Sequence, residues 1–139
     1  MRLLDTNVLL YAASRSVEDA AKRRRALELL SEPEQALSVQ VLQEFYYQAT
    51  RPTRPARLSS ADALRFLDPL LGMPVQAMTL DVFRRAVADC QRFQLSYWDA
   101  AILAAARAAG CDAVYSEDMN AGQDYDGVRV LNPFADEVA

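Results

Sequence analysis

The sequence predicts one α/β domain built on a mostly parallel five-stranded sheet, with helices covering both faces in a three-layer sandwich. Short apolar segments alternate with helical patterns from one end of the chain to the other, which is typical of parallel α/β proteins. Leu3 and Leu4 stand side by side with no polar residue between them, as expected for a strand that helices cover on both faces. A length of 139 residues suits one such domain with a substantial core.

Five segments are predicted as strands because each is short, apolar and bounded by a turn or by the start of a helix. Numbered along the chain, they cover residues 1–4, 36–39, 75–78, 112–116 and 128–131. The first ends at Asp5, and the fourth stops at Glu117 and Asp118. Asp126 and Gly127 form a turn before the fifth. Loops at the carboxyl ends of parallel strands form the ligand site in such folds, so we expect function to begin at Asp5.

Six helices are predicted from apolar periodicity and from capping residues at their starts. They cover 8–13, 16 to about 30, about 39 to 49, 59 or 60 to about 71, 79 to about 93, and 100–109. In the second helix we interpret four residues as the buried face, namely Ala20, Ala21, Leu27 and Leu30. The sixth helix is rich in alanine on nearly all sides, so we expect it near the centre. Trp98, at its start, is interpreted as a packing residue rather than a base-stacking platform.

The composition excludes several classes of enzyme. Histidine is absent, which rules out a Ser/His/Asp triad, a Cys/His dyad and a zinc site with histidine ligands. Lys22 is the sole lysine, and no Walker A loop is present. Cys90 and Cys111 have no CxxC spacing and are expected as reduced thiols in a reducing compartment. No signal peptide or apolar run of about 18 residues is seen, so we expect a cytoplasmic protein that does not enter a membrane.

The net charge limits the ways in which this protein could bind nucleic acid. A net charge of −4 and a pI near 4.8 argue against a protein that passively coats nucleic acid, but they suit a nuclease whose acids surround bound cations. The arginines of the loop at 51–57, Arg51, Arg54 and Arg57, are either RNA contacts or parts of a solvated surface. The basic run at 22–25 is interpreted as a solvated helix surface, because four successive helical residues point in different directions.

Four acids stand at comparable places next to predicted strands or helix starts: Asp5, Glu44, Asp99 and Asp118. Each also has a purely structural explanation. Asp5 can cap the first helix, Glu44 can lie at a helix edge, and Asp99 completes a capping box with Ser96. If the four converge, their repulsion raises their pKa values unless cations are present. Hard divalent ions such as Mg²⁺ or Mn²⁺ prefer oxygen ligands and assist phosphodiester hydrolysis.

The sequence resembles PIN domains and, more narrowly, the VapC-type toxins of bacterial toxin–antitoxin pairs. The resemblance extends from residue 1 to 134 and predicts a single PIN-like domain over 1–139. It is carried by LDTNVL at 4–9, Glu44, LSYWDA at 95–100, YSEDM at 115–119 and DGVRVLNPF at 126–134.

The resemblance implies an endoribonuclease that depends on Mg²⁺ or Mn²⁺, with a sheet of order 3-2-1-4-5. Asp5, Glu44, Asp99 and Asp118 match the acidic quartet of the family as catalytic residues and metal ligands, with Asp5 and Asp99 foremost as direct ligands. Asn7 and Ser116 match the polar residues that orient this quartet, and Glu117 is an additional acid beside it. A small VapB-like antitoxin is the expected protein partner.

Two other functions compete with a ribonuclease toxin. A PIN-like module that binds RNA or protein without cutting is one, although a complete quartet argues against it. A phosphoacceptor or phosphatase using Asp5 as nucleophile is the other, and it lacks the charge partners that phosphoryl chemistry requires. A homodimer is also expected. Five apolar residues of the early helices serve homodimerisation, antitoxin binding or core packing, namely Leu9, Leu10, Tyr11, Tyr46 and Tyr47.

Overall fold

The computed structural model describes residues 1–135, so residues 136–139 of the predicted domain lie outside it. Within the described range the chain forms six strands and six α-helices. The strands are β1 (Arg2–Leu4), β2 (Gln35–Ser38), β3 (Val75–Gln76), β4 (Ala113–Tyr115), β5 (Asp124–Tyr125) and β6 (Val128–Leu131). The helices are α1 (Thr6–Ala13), α2 (Ala20–Ser31), α3 (Val39–Thr50), α4 (Ser60–Leu67), α5 (Leu80–Phe93) and α6 (Tyr97–Ala108). Short 3-10 turns occupy Val17–Asp19 and Asp68–Gly72.

The sheet has the order β3-β2-β1-β4-β6-β5. All neighbouring strands are parallel except β5 and β6, which are antiparallel. The five predicted strands therefore have the predicted order, and β5 is an additional edge strand. It was missed because two residues are too few to show an apolar pattern. The predicted turn at Asp126 and Gly127 joins β5 to β6, and both residues have positive φ, as an Asp-Gly hairpin turn requires.

The two leucines of β1 divide the core between the faces of the sheet. Leu3 packs with Leu103 and other residues of α6, whereas Leu4 packs with residues of α1, α2, α3 and α4. Both leucines are fully buried, and burial of each side chain contributes about 1.5–3 kcal/mol. Helix α5 lies outside α6 and packs against its alanines, so α6 is covered by protein on two sides. The predicted α/β/α layers and the central position of the sixth helix are confirmed.

The buried face of α2 differs from the prediction. The structure buries Ala26 and Leu29, whereas Ala20, Ala21 and Leu27 are exposed. Ser16 precedes a 3-10 turn and makes no side-chain cap bond, and the α-helix starts only at Ala20. The packing of α2 against α1 thus buries a different stripe from the predicted one. Lys22 lies on the same stripe, because it precedes Ala26 by four residues and Leu29 by seven.

Candidate active site

The site begins where β1 and β4 end side by side. These parallel neighbours pair Leu4 with Tyr115, so the next residues, Asp5 and Ser116, meet at one edge of the sheet. Ser116 Oγ donates to Asp5 Oδ2 over 2.7 Å, and the backbone N–H of Thr6 donates to Asp5 Oδ1 over 2.7 Å. The second bond makes Asp5 the N-cap of α1. Asp5 therefore caps α1 and also lies at the edge of the sheet.

Asp5 is nearly excluded from water, with 5% of its surface exposed. Burial raises its pKa from the ordinary 3.8 to about 6, against the lowering effect of the bonds from Ser116 and Thr6. The charges of Asp118 and Glu44 raise it further. Asp5 therefore gains from any cation or proton that enters the site.

Glu44 reaches this edge from α3 and is held by two neutral donors. Thr6 Oγ1 donates to its Oε2 over 2.8 Å, and Gln40 Nε2 donates to its Oε1 over 2.8 Å. Gln40 Nε2 also donates to the backbone carbonyl of Trp98 over 3.2 Å. Gln40 therefore ties α3 to the start of α6, where Asp99 lies.

Asp99 lies in the first turn of α6, and its backbone N–H donates to Ser96 Oγ over 3.2 Å. The predicted cap is thus present. Burial raises the pKa of Asp99, hydrogen bonding of its carboxylate by the Ser96 side chain lowers it, and the nearby charge of Glu44 raises it. The influence of Glu44 on Asp99 places these two carboxylates in one electrostatic environment.

Asp118 follows β4 and is exposed. Its Oδ2 accepts a hydrogen bond from Asn7 Nδ2 over 2.5 Å, and its backbone N–H donates to Ser116 Oγ over 3.1 Å. Ser116 therefore contacts both Asp5 and Asp118, and Asn7 orients Asp118. Partial loss of hydration of its carboxyl raises the pKa of Asp118, with further upward effects from the charges of Glu117 and Asp99.

One cavity of about 410 Å³ brings the four predicted acids together. Its lining consists of Asp5, Thr6, Asn7, Leu10, Tyr11, Glu44, Gln48, Arg54, Trp98, Asp99, Ile102 and Asp118. Arg54 is the one basic side chain among the described residues that line it. Across residues 1–135, no three acidic or cysteine side chains lie close enough together to form a ready metal cluster. The four acids therefore line the same cavity, but their side chains do not converge on one point.

The donor set of this cavity fits a divalent cation of the Mg²⁺ or Mn²⁺ type. Its ligating groups are carboxylate oxygens, which such hard ions prefer. Burial and mutual repulsion raise the pKa of Asp5, Asp99 and Asp118, so positive charge in the cavity stabilises their ionised forms. The neutral donors Ser116, Asn7, Thr6 and Gln40 orient carboxylates without supplying that charge.

Glu117 faces a different set of partners from those of its neighbour Asp118. It accepts hydrogen bonds from Tyr11 Oη and from Lys22 Nζ, the latter over 3.1 Å. The Lys22 ammonium also lies 4.8 Å from the centre of the Tyr11 ring. Glu117 thus has its own cation, and it is not among the residues that line the acid cavity.

Trp98 was interpreted as a packing residue, and that interpretation is wrong. Its side chain is 64% exposed and lines the acid cavity.

The three arginines of the loop at 51–57 lie at different places relative to the acid cavity. Arg54 lines both the acid cavity and a neighbouring cavity of about 280 Å³, Arg51 lines only the neighbouring cavity, and Arg57 is exposed and lines neither of these two.

Sequence reasoning missed two residues that hold the acids. Thr6 immediately follows Asp5, and its hydroxyl bonds to Glu44. Gln40 precedes Glu44 by four residues, so the two meet on one face of α3. This spacing was a usable signal for Gln40, whereas only the packing of α1 on α3 brings Thr6 to Glu44.

The PIN domain family model matches residues 2–123. A search of curated protein sequences found no match.

Several solved structures share the fold. A toxin–antitoxin complex from Klebsiella pneumoniae is 24% identical, with a TM-score of 0.66, over 96% of this chain and 98% of that chain. VapC20 from Mycobacterium tuberculosis, described as a toxin that cleaves the sarcin–ricin loop, is 19% identical, with a TM-score of 0.65, over 85% and 90%. VapBC2 from Rickettsia felis, bound to a promoter DNA fragment, is 15% identical, with a TM-score of 0.63, over 94% and 97%.

Proposed function

This chain belongs to the PIN domain family, and from that premise we propose that it is a metal-dependent endoribonuclease acting as the toxin of a toxin–antitoxin pair. One observation carries the proposal. Asp5, Glu44, Asp99 and Asp118 line one cavity, although they come from four separate segments of the chain. Arg54 is the only cationic side chain among the described lining residues, which leaves a predominantly acidic site suited to an added cation.

In this proposal Asp5, Glu44, Asp99 and Asp118 hold Mg²⁺ or Mn²⁺. When bound, such an ion lowers the pKa of a water molecule and offsets the charge of a phosphodiester. The chain's own part is to orient its carboxylates. Ser116 holds Asp5, Asn7 holds Asp118, and Thr6 and Gln40 hold the two oxygens of Glu44.

RNA is the proposed substrate, with Arg54 at the cavity as a contact to phosphate. A VapB-like antitoxin is the proposed protein partner, supported by the similarity to structures of toxin–antitoxin complexes. We propose that the protein acts in the cytoplasm, where such a toxin would meet RNA. None of the helices in residues 1–135 combines the length and apolarity that a membrane span requires.

A homodimer remains part of the proposal, but the residues first assigned to it change. Leu9 and Leu10 are buried core residues, whereas Tyr46 and Tyr47 are exposed on α3. Exposed apolar side chains also lie on α5, among them Leu80 and Phe83. The mass of the purified chain in solution tests the dimer.

The ribonuclease is tested by incubating purified protein, freed of antitoxin, with a mixed RNA pool in Mg²⁺, Mn²⁺ or EDTA. We expect cleavage only with a divalent ion and a rate reduced roughly 100-fold or more in Asp99→Asn. Asp81→Asn is the matched control, because Asp81 is an exposed acid of α5 that lies outside the cavity lining. Equal cleavage by Asp99→Asn and the wild type would overturn the assignment.

A non-catalytic PIN-like module is the second candidate. The observation in its favour is that the acids, within residues 1–135, do not form a closed cluster. Binding of Mg²⁺ and of RNA without cleavage of any RNA in the pool would favour this module over the ribonuclease.

A further inference from the structure

Trp98 is the only tryptophan of the chain, and its position is unusual for so large an apolar side chain. It is 64% exposed, it precedes Asp99 directly, and it lines the same cavity as the four acids. A buried tryptophan stabilises a fold through its area, but most of this one faces solvent. Its exposure therefore indicates a role at the site rather than in the core.

The backbone of Trp98 is anchored to the acids. Its carbonyl accepts the hydrogen bond from Gln40 Nε2 over 3.2 Å, and the same nitrogen donates to Glu44 over 2.8 Å. The first turn of α6 is further held by the cap between Ser96 Oγ and the N–H of Asp99. The backbone of Trp98, from which the indole extends, is thus held in place relative to Glu44 and Asp99.

The side chain is supported by an aromatic neighbour. The ring of Tyr97 meets Trp98 at 5.1 Å with an interplanar angle of 79°, and Phe83 supports Tyr97 at 5.9 Å. This support restrains the indole while most of its surface stays exposed. An aromatic side chain has few rotatable bonds, so a ligand that stacks on it costs little additional ordering.

The charge of the cavity explains why such a platform is needed. In the absence of a cation, four carboxylates repel the phosphates of RNA, and Arg54 is the single basic group among the described lining residues. The whole chain carries a net charge of −4, so general attraction to a polyanion is weak. Stacking of a base on an aromatic ring does not depend on charge, and every base has a face that can stack.

We infer that the Trp98 indole is the stacking platform for a nucleobase next to the phosphodiester presented to the acid cavity. This inference rests on the proposed ribonuclease function and deepens it by assigning a subsite for a base. It makes Trp98 a substrate-positioning residue whose contribution depends on the base and not on the phosphates.

The sole tryptophan provides a direct measurement, because the intrinsic emission of the protein at tryptophan wavelengths comes from this residue alone. The probes are short single-stranded RNA oligonucleotides and an abasic ribose-phosphate strand of the same length. Titrations are run in EDTA, so that binding is observed while metal-dependent cleavage is suppressed. We expect RNA to quench the emission and the abasic strand to leave it unchanged.

Variants then separate the base from the phosphates. Trp98→Ala should weaken RNA binding roughly 5- to 100-fold and leave binding of the abasic strand unchanged. Trp98→Phe should restore most of the affinity, because it keeps an aromatic face. Tyr47→Ala is the matched control, since Tyr47 is 66% exposed but lies outside the acid cavity. Arg54→Ala should weaken the binding of the RNA and of the abasic strand to the same extent.

The outcomes distinguish this inference from the proposed function. If RNA is cleaved but binds without quenching, and Trp98→Ala binds it as well as the wild type, the stacking role is wrong and the ribonuclease stands. If no RNA is bound or cleaved under any condition, the ribonuclease itself is wrong. If Trp98→Ala changes a dimer into a monomer with unchanged RNA affinity, the exposed indole covers a second chain instead, and the inference is overturned.

Discussion

Asp5 and Asp89 are both buried carboxylates, with 5% and 1% of their surfaces exposed, but their partners differ in charge. Asp5 accepts hydrogen bonds from a hydroxyl and a backbone N–H. Asp89, in α5, accepts from two guanidinium groups, Arg85 Nε over 3.1 Å and Arg107 Nη1 over 2.9 Å. The protein thus supplies the positive charge for one buried acid and leaves the other without it.

The network around Asp89 joins three elements of the fold. Arg107, in α6, also donates to the backbone carbonyl of Tyr125 over 2.7 Å. Arg85, in α5, also pairs with Asp126 in the turn between β5 and β6, and the Arg85 and Arg92 guanidinium groups lower the pKa of that carboxyl. These contacts connect α5, α6 and the edge hairpin. A buried acid with its own cations serves the fold here.

The difference teaches how to distinguish structural from functional acids in this molecule. Glu117 belongs with Asp89, because Lys22 neutralises it. Asp5, Glu44, Asp99 and Asp118 form the contrasting group, oriented mainly by neutral groups. The following experiments test that division, starting with the largest expected effect.

Arg107→Met should lower the free energy of unfolding by about 3–5 kcal/mol, because it removes one cation from a buried pair and leaves the Asp89 charge undercompensated. Urea denaturation followed by circular dichroism measures this change. Arg84→Met is the control, since Arg84 pairs with the exposed Asp81 at 3.9 Å and should change stability by less than about 1 kcal/mol. Equal effects of the two substitutions would contradict the structural role of the buried network.

The double variant Asp89→Leu/Arg107→Met should recover part of the stability lost in the single variant. Removing both partners of a buried ion pair leaves no isolated charge, and such replacements are often neutral. A double variant less stable than either single variant would show that the pair does more than neutralise buried charge.

Asp5→Asn should have the opposite effect on the metal-free protein at pH 8, raising the free energy of unfolding by up to about 3 kcal/mol, the equivalent of a pKa change from 3.8 to about 6. Folding raises this pKa. The stability that the protonated Asp5 carboxyl contributes to the fold is therefore fully present below pH 3.8 and is lost as pH rises through about 6. The gain of the variant should therefore vanish at the acidic end. Thermal unfolding across pH 4–8 measures it, and an equal difference at all pH values would refute the charge explanation.

Mg²⁺ should stabilise the wild type and not Asp5→Asn if the uncompensated acids are a cation site. A ligand at about 100 times its Kd raises the free energy of unfolding by about 2.7 kcal/mol. A titration of the melting temperature with MgCl₂ measures this effect, with NaCl at matched ionic strength as the control. Equal stabilisation of both proteins would place the ion elsewhere.

Lys22→Met should have the smallest effect, lowering the free energy of unfolding by less than about 1 kcal/mol, because the Lys22–Glu117 pair is partly exposed. Combining it with Glu117→Gln in a double-mutant cycle isolates the pair from the packing of the lysine stem. A loss as large as that of Arg107→Met would remove the distinction between a buried and a partly exposed pair.

The placement of the acids was largely predictable, because it depends on where strands end. A strand that stops at Asp5 and another that stops before Asp118 must present those residues at one edge once the strands are parallel neighbours. Asn7 and Ser116 were found through the same segments. The roles of Thr6 and Gln40, the exposure of Trp98 and the pairing of Glu117 were not predicted, since each depends on a contact between elements.

The amino-acid pattern was sufficient to predict the α/β class and the acids at the strand ends, and the family resemblance implied the order of five strands. Apolar periodicity and strand ends are local properties, and the family motifs add their spacing. Tertiary structure decided which acids receive a cation. Asp89 meets Arg107 because α5 packs on α6, and Glu117 meets Lys22 because α2 packs on α1. Charge pairing between helices depends on their packing, and periodicity within one helix does not specify it.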